Sequence, residues 1–209
     1  MAGTRQTTSR TETLRKVDTT RKVAASSPGA VSPDDLALNN RIVQGTSTLS
    51  DGALYFTKDA TSRRVVKFAE PSDDERPGLT NVAQAKTGKN QDFFVGALQL
   101  LGATSTVDIN DDPTTLAGLN YGSIAAIKGL QHGELTIRHN GKTVLDRMPL
   151  TRFYASDNDR NNPVGEVTLD NIIRISPQQP IEAYIDFGHN TPNRIALKLL
   201  MVGTQTLPA

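Results

Sequence analysis

The stretch of residues 172 to 202 constrains the fold most, because it contains three strand-like segments separated by two short turns. The first segment ends at Pro177, and Pro180 follows within the same turn, so no helix continues through it. The second segment alternates apolar and polar residues, which is the period of a strand with one buried face. Its apolar members are Ile181, Ala183, Ile185 and Phe187. After the turn at 188–192, residues 194 to 202 return as a longer apolar run, so the stretch predicts three strands.

The rest of the chain shows the same strand signals, and little of it is typical of a helix. Residues 114–130 predict only a short helix or loop, because three glycines interrupt the apolar spacing. Residues 70–92 form a polar connection so long that we expect a surface or interface role for it. Further strands are predicted at 53–57, 63–69, 93–101, 104–109, near 123–128, 151–155 and 165–169.

The clearest local signal is a hairpin around Asn140-Gly141, because these residues favour the positive φ angles of a two-residue turn. Residues 134–139 and 142–147 are the flanking strands. A two-residue turn fixes the register, and it places His139 opposite Lys142, Ile137 opposite Val144, and Glu134 opposite Arg147. That register brings together one apolar pair and one pair of opposite charges.

The N-terminal 30 residues differ from the rest, because they are rich in threonine and basic residues and poor in apolar ones. Six basic residues stand against Glu12 and Asp18 there, which gives a net charge of +4; the whole chain carries +1, so the remainder carries −3. Such a segment cannot bury enough apolar surface to fold alone, and we predict a disordered basic arm. Its contact residues for other subunits or nucleic acid are Arg5, Arg10, Arg15, Lys16, Arg21 and Lys22. The alternative is a tail without a role.

Residues 31–44 begin with a Ser-Pro-Asp-Asp sequence, which is a helix-start signal. They predict a short helix or an extended lead-in, and periodicity leaves both open. We then expect residues 45–209 to form one β-sandwich domain of about ten strands, so that the chain belongs to the all-β class, with a jelly roll as the specific form.

Composition excludes several kinds of chemistry. The chain has no cysteine, so disulfides, thiolate metal sites and cysteine nucleophiles are excluded. No apolar run reaches the roughly 18 residues of a membrane-spanning helix, and the first residues lack the apolar core of a signal peptide. No nucleophile-elbow, phosphate-loop or dinucleotide-binding motif occurs.

The remaining candidate sites favour structural roles. The oxygen-rich turns 108–112 and 157–161 lack the glycine and glutamate of an EF-hand, and capping of their own backbone is expected; a weak calcium site is kept only for 157–161. The histidines His132, His139 and His189 match no zinc spacing and are expected to be solvated beside turns. The carboxylates Glu166, Asp170, Glu182 and Asp186 could pair as in glycosidases, but nearly every β protein offers such pairs. We therefore predict no enzyme activity, no cofactor, no metal and no small-molecule substrate.

A basic arm before a β-sandwich without catalytic motifs resembles the jelly-roll coat proteins of icosahedral viruses, with bacteriophages as the expected source. The resemblance covers residues 1–30 and about 45–205, and it includes the run PIEAYIDFGHNTPNRIALKLLMVGTQ. It implies self-assembly into a shell without a cofactor, in the virion, after assembly in the host cytoplasm. Copies of the chain, other capsid proteins, the genome and an internal membrane are the partners that it implies.

Two other classes of function stay open. A β-sandwich binding module, as in phage fibres or lectin-like domains, would recognise a receptor or carbohydrate. The side chains available for stacking on a sugar are Tyr55, Tyr121, Tyr154 and Tyr184, although packing is the commoner role of each. A small hydrolase with paired carboxylates is the third class.

Overall fold

A computed structural model describes residues 47–154 and 163–208, together with Leu38, Asn40 and Gln44. The predicted arm of residues 1–30, with its six basic contact residues, and the turn 157–161 lie outside the described residues. Within the predicted lead-in 31–44, Leu38 and Asn40 are helical and Leu38 is fully buried.

The described residues form an all-β fold, as the alternating patterns predict. Between residues 47 and 208, the helices that accompany the strands are short: the α-helix α1 (Pro113–Ala117) and two 3-10 turns, Ile124–Ala126 and Leu150–Phe153. The strands are β1 (Ser47–Asp59), β2 (Val65–Lys67), β3 (Phe93–Thr104), β4 (Gly122–Ser123), β5 (Glu134–His139), β6 (Lys142–Pro149), β7 (Glu166–Ile175), β8 (Ile181–Asp186) and β9 (Ile195–Pro208). No helix among the described residues is both long and apolar enough to cross a membrane.

The strands form two antiparallel sheets with the topology of a jelly roll. The first sheet has the order β1-β9-β3, and both β7 and the two-residue β4 pair with the far side of β3; the second has the order β2-β8-β5-β6. The strand pairs are nested, because each pair lies inside the previous one along the chain: β1–β9, β2–β8, β3–β7 and β5–β6. A long antiparallel ribbon that wraps around itself gives this nesting, which is the two-Greek-key jelly roll.

One contiguous core lies between the sheets. In the C-terminal stretch, Leu197, Leu199 and Met201 have no exposed surface, whereas the intervening Leu200 is half-buried on the opposite face of β9. The predicted alternation in β8 is confirmed, because Ile181, Ala183, Ile185 and Phe187 are all buried in the same core. Burial of these aliphatic side chains is the main stabilising contribution available to a chain without disulfides.

A second, smaller apolar cluster covers one end of the outer face of the first sheet. It joins Ala196 of β9 to Ile109, Leu79 and Leu116, and Tyr121 packs against it. Ile109 therefore belongs to this cover, and the predicted strand at 104–109 is wrong. The chain bends after β3 because the Ser105 side chain accepts the N–H of Val107 and a hydrogen bond ties Ser105 N to the Arg194 carbonyl.

Two other predicted strands are also wrong, because a short 3-10 turn occupies each region. Only Gly122–Ser123 pairs with β3 in the region near 123–128, and the Ser123 hydroxyl then caps the 3-10 turn by accepting the N–H of Ala125. Residues 151–155 overlap the 3-10 turn Leu150–Phe153, in which Leu150 and Phe153 are three apart and both fully buried. Conversely, the strands predicted at 165–169 and 172–176 are one strand, β7, with an irregular register against β3.

The β5–β6 hairpin has the predicted turn but not the full predicted register. Asn140 and Gly141 have φ angles of 50° and 72°, and His139 lies opposite Lys142. Further along, Ile137 pairs with Leu145 instead of Val144, and Glu134 pairs with Pro149 instead of Arg147. Two register shifts in β6 cause the difference, and both are β-bulges of a kind that sequence alternation does not reveal.

Candidate interaction surface

The oxygen-rich turn 108–112 caps its own neighbourhood, as predicted. Asp112 is the N-cap of α1, and its carboxylate accepts the backbone N–H of Thr115 at 2.8 Å and the Thr115 hydroxyl at 2.7 Å. These hydrogen bonds to Thr115 lower the pKa of Asp112. Asp108 pairs with the guanidinium of Arg194 at 2.9 Å. Both carboxylates therefore stabilise the local chain, and among the described residues no group of three or more potential ligands could hold a metal ion.

The four carboxylates considered for glycoside hydrolysis are divided between the two sheets. Glu166 and Asp170 lie on β7, and Glu182 and Asp186 lie on β8. They therefore do not face one another across neighbouring strands, which a pair of catalytic carboxylates on one sheet would require. Burial raises the pKa of Glu166. Asp186 lies 3.7 Å from the guanidinium of Arg64 and accepts the N–H of Gly188.

Two histidines meet at one end of the fold. The rings of His132 and His189 are 6.4 Å apart in an edge-to-face arrangement, and Nε2 of His189 is 2.9 Å from the carbonyl of Gly129. The Gln131 amide nitrogen also lies 3.4 Å from Nε2 of His132, so the two rings contact each other, a neighbouring side chain and the backbone of the loops that carry them.

His139 contradicts the prediction of a solvated histidine, because only 8% of it is exposed. The N–H of Ser176, at the end of β7, donates to its Nε2 at 2.9 Å, and this bond links the hairpin of the second sheet to the first. Burial lowers the pKa of His139, and the positive charge of Arg174 lowers it further, against a raising contribution from the Pro180 carbonyl. Hairpin position alone did not indicate this burial, because Ser176 is distant in sequence.

The tyrosines are dispersed over the fold. Tyr55 and Tyr121 flank the ammonium group of Lys198, which lies 5.2 Å and 5.7 Å from their ring centres. The Tyr121 hydroxyl donates to the Leu116 carbonyl, and burial raises its pKa to about 12. Tyr154 packs against the main core. The two rings that lie together thus hold a lysine of the chain itself.

Strand edges are the remaining surfaces that can recognise another chain, because an unpaired edge presents a row of N–H and C=O groups. The edge of β1 is closed at its centre by Asn81. The Asn81 amide donates to the Ala53 carbonyl at 2.7 Å, and its oxygen accepts the N–H of Tyr55 at 2.9 Å. One side-chain amide thus occupies the position that a neighbouring strand's peptide group would take.

The edge of β6, at one side of the second sheet, is irregular and charged. The two bulges disrupt its ladder, Arg147 has a φ of 43°, and Lys142, Asp146 and Arg147 are exposed. Bulges and charges are the usual means by which proteins prevent pairing at an edge.

The edge of β2, at the other side of the same sheet, is regular. The Arg64 carbonyl accepts the N–H of Phe187, which directly follows β8, at 3.0 Å. The N–H of Phe68 donates to the Ala183 carbonyl of β8 at 2.8 Å. By the alternation of an antiparallel ladder, the N–H and C=O groups of Val65 and Lys67 point away from β8. No other described residue hydrogen-bonds to them there, and Val65 is 40% exposed.

An open groove of about 510 Å³ lies beside this edge. Its walls are the ends of β1 and β2, the segment 70–80 and the start of α1. The Lys58 ammonium is held by Asp73 at 2.6 Å and Glu70 at 3.3 Å, and the Arg63 guanidinium is held by Asp111 at 2.5 Å. Most charges of the groove therefore have partners within its walls.

No protein-family model matches the chain, and no curated protein matches it. The class of the protein is accordingly defined by the fold: it is a jelly-roll protein, with a regular free strand edge beside a groove.

Proposed function

We propose that the chain is a virion structural protein that assembles into an icosahedral capsid shell, with residues 1–30 contacting neighbouring subunits. The observation that carries the proposal is the strand order β1-β9-β3-β7 and β2-β8-β5-β6. Coat proteins, lectin domains and cupins are the main groups that use a jelly roll. The proposal therefore depends on which of these groups the surfaces of the fold favour.

The surfaces favour the coat-protein group. A cupin enzyme would hold a metal inside the fold, and the described residues include no cluster of potential ligands. A lectin-like site would offer free aromatic rings, whereas two of the four candidate tyrosines, Tyr55 and Tyr121, flank the chain's own Lys198 and a third, Tyr154, packs against the core. A shell needs contacts of moderate strength that symmetry repeats. A basic arm attached to a β-sandwich with an exposed strand edge can supply such contacts.

Charge supports a role for the arm between subunits. Residues 1–30 carry +4 and the remainder carries −3, so the arm of one copy is attracted to the body of another. A charge of +4 is small for packaging a genome, since phosphate neutralisation scales with the number of basic contacts. The Thr-rich spacing suits addition of the arm as a strand to a neighbour's edge.

Deletion of residues 1–30 tests the proposal, with particle size and nucleic-acid binding as the two measurements. We expect a folded body that assembles poorly or into particles of the wrong size. The matched control keeps the length of the arm and replaces its six basic residues by glutamine, which separates the effect of charge from that of chain length.

Three outcomes contradict the proposal in different ways. Normal particles that lose only nucleic-acid binding would show that the arm contacts the genome. Normal particles with unchanged binding would show that the arm is a tail without a role. A full-length chain that stays small and binds a glycan array would show a lectin-like binding module.

A further inference from the structure

We infer that the groove beside β2 is the site that receives the arm of a second copy, and that the arm pairs as an added strand with the free edge of β2. This inference rests on the proposed function, since it names where the arm binds. The receiving groups are the outward N–H and C=O of Val65 and Lys67, and the groove provides the volume for the added segment.

The choice of β2 follows from the state of the other edges. The centre of the β1 edge is occupied by the Asn81 amide, and the β6 edge is bulged. On β7 the pairing with β3 is interrupted between Thr168 and Ile173, so its backbone does not run straight there. Among the edges of the described strands, β2 is the one that combines regular pairing, unused main-chain groups and an adjoining groove.

The chemistry of the groove suits a polar, weakly basic strand. Its lining carries five acidic and four basic side chains, and two of the basic ones, Lys58 and Arg63, are already neutralised by neighbouring carboxylates. Asp74, Lys67 and Arg76 have no ion pair among the described residues, so the preference for a basic segment rests on the net charge of −1 that five acids and four bases give the lining. A ligand that brought many negative charges would not gain from this arrangement, whereas a segment with a few arginines would.

The arm contains a segment with the matching pattern. In an extended chain, alternate residues share a face. The odd-numbered positions 5 to 15 place four hydroxyl side chains between two arginines: Arg5, Thr7, Ser9, Thr11, Thr13 and Arg15. Threonine is favourable in strands, and hydroxyls accept partial exposure to water at the rim of the groove. The central residues of this segment would pair with β2.

The position of the groove favours an arm from another copy. The arm joins β1 from the Ser47 side, while the groove lies at the Asp59 end. The two ends of β1 are about 40 Å apart, from 12 steps of roughly 3.3 Å. An arm of the same copy would have to run back along this whole length before residues 5–15 could reach the groove.

Crosslinking of full-length chains tests the inference directly, because the chain has no cysteine and each introduced thiol is the sole one. One chain carries Lys67→Cys, and a second, marked by a tag of different mass, carries Ser9→Cys. The two are mixed before assembly and treated with a short bis-maleimide. Thr143→Cys on the exposed β6 edge replaces Lys67→Cys as the matched control, and Ala25→Cys replaces Ser9→Cys.

We expect a mixed dimer from Lys67→Cys with Ser9→Cys, at least about tenfold more abundant than from either control pair. Equal crosslinking of Thr143→Cys would overturn the inference. A third chain carries both Lys67→Cys and Ser9→Cys, and a crosslink that forms only within this chain, with no mixed dimer, would also overturn it. Normal particles without the mixed dimer would refute the docking site and leave the shell proposal intact. Chains that build no particle under any condition would refute the shell proposal itself.

A second variant probes the hydrogen bonds. Val65→Pro removes the outward N–H at the first residue of β2, where proline is tolerated, and leaves the ladder bonds of Arg64 and Phe68 in place. We expect it to raise the concentration needed for assembly by about tenfold, with a thermal melt like that of Val65→Thr. Assembly unchanged by a folded Val65→Pro would overturn the strand-addition geometry. Thr143→Pro on the β6 edge is the control and should assemble normally.

Discussion

Leu199→Ala tests whether the chain is a sandwich with its core between the sheets. Leu199 has no exposed surface, and in the first sheet it lies between Phe56 of β1 and Leu100 of β3, which are equally buried. The substitution removes three carbon atoms, worth about 0.8 kcal/mol each in transfer free energy, and leaves a cavity. We expect a loss of about 3 kcal/mol in the free energy of unfolding, within the range of about 2–5 kcal/mol for such sites.

The assay is chemical and thermal unfolding of the dissociated subunit, compared with Leu200→Ala. A domain of this size loses roughly 2–4 °C of Tm per kcal/mol, so Leu199→Ala should melt about 6–12 °C lower. Leu200 is the same residue type on the same strand but is half-buried on the outer face, so its truncation should cost about 1 kcal/mol or less. Equal losses for the two variants would refute the inside–outside assignment of β9.

Three further predictions follow from the turn, the bulge and the buried histidine. Gly141→Val should cost about 1–3 kcal/mol in unfolding free energy, because a β-branched residue resists the φ of 72° at this position. Gly141→Asn is the control and should cost less. Equal melting temperatures for the two variants would show that the turn is misassigned. Gly203 of β9 lies opposite Val95, where the register between β3 and β9 shifts. Gly203→Ala should cost about 3 kcal/mol or more, because a Cβ there would lie 1.8 Å from the Phe94 carbonyl oxygen. Gly122→Ala meets nothing within 4 Å and serves as the control, and similar melts would contradict the close approach at this shift. His139 has a lowered pKa in the fold, so the unfolded chain binds its proton first, and stability should be lost as pH falls below about 6.5. His139→Gln should flatten that dependence in melts recorded from pH 7.5 to 5.5 (about one unit on either side of the ordinary value), and an unchanged slope would refute the contribution of buried His139.

Much of the fold is predictable from the sequence, because period-two alternation reports one buried face directly. The strands β8 and β9 follow from residues 181–187 and 194–202, and the turn at Asn140-Gly141 follows from its φ requirement. Their common property is that a local pattern determines them, so no knowledge of partners elsewhere in the chain is needed.

The features that sequence reasoning missed depend on contacts between distant residues. Ile109 looks like a strand residue, but it joins a cluster with Ala196 of β9. His139 is buried because β7 ends beside it. The edge cap of β1 is an asparagine within a polar connection, and nothing in its neighbours marks it. The long connection 70–92 lines the groove through residues between 70 and 80, and its expected interface role stays a prediction.

The central proposal, assembly into a shell, is tested most directly by electron microscopy of the purified full-length chain, with the particle mass measured on the same sample. We predict closed particles of uniform diameter whose mass is a large multiple of the 22.6 kDa chain. Single chains or dimers at every protein concentration and salt condition, with no closed particles on the grid, would contradict the proposal.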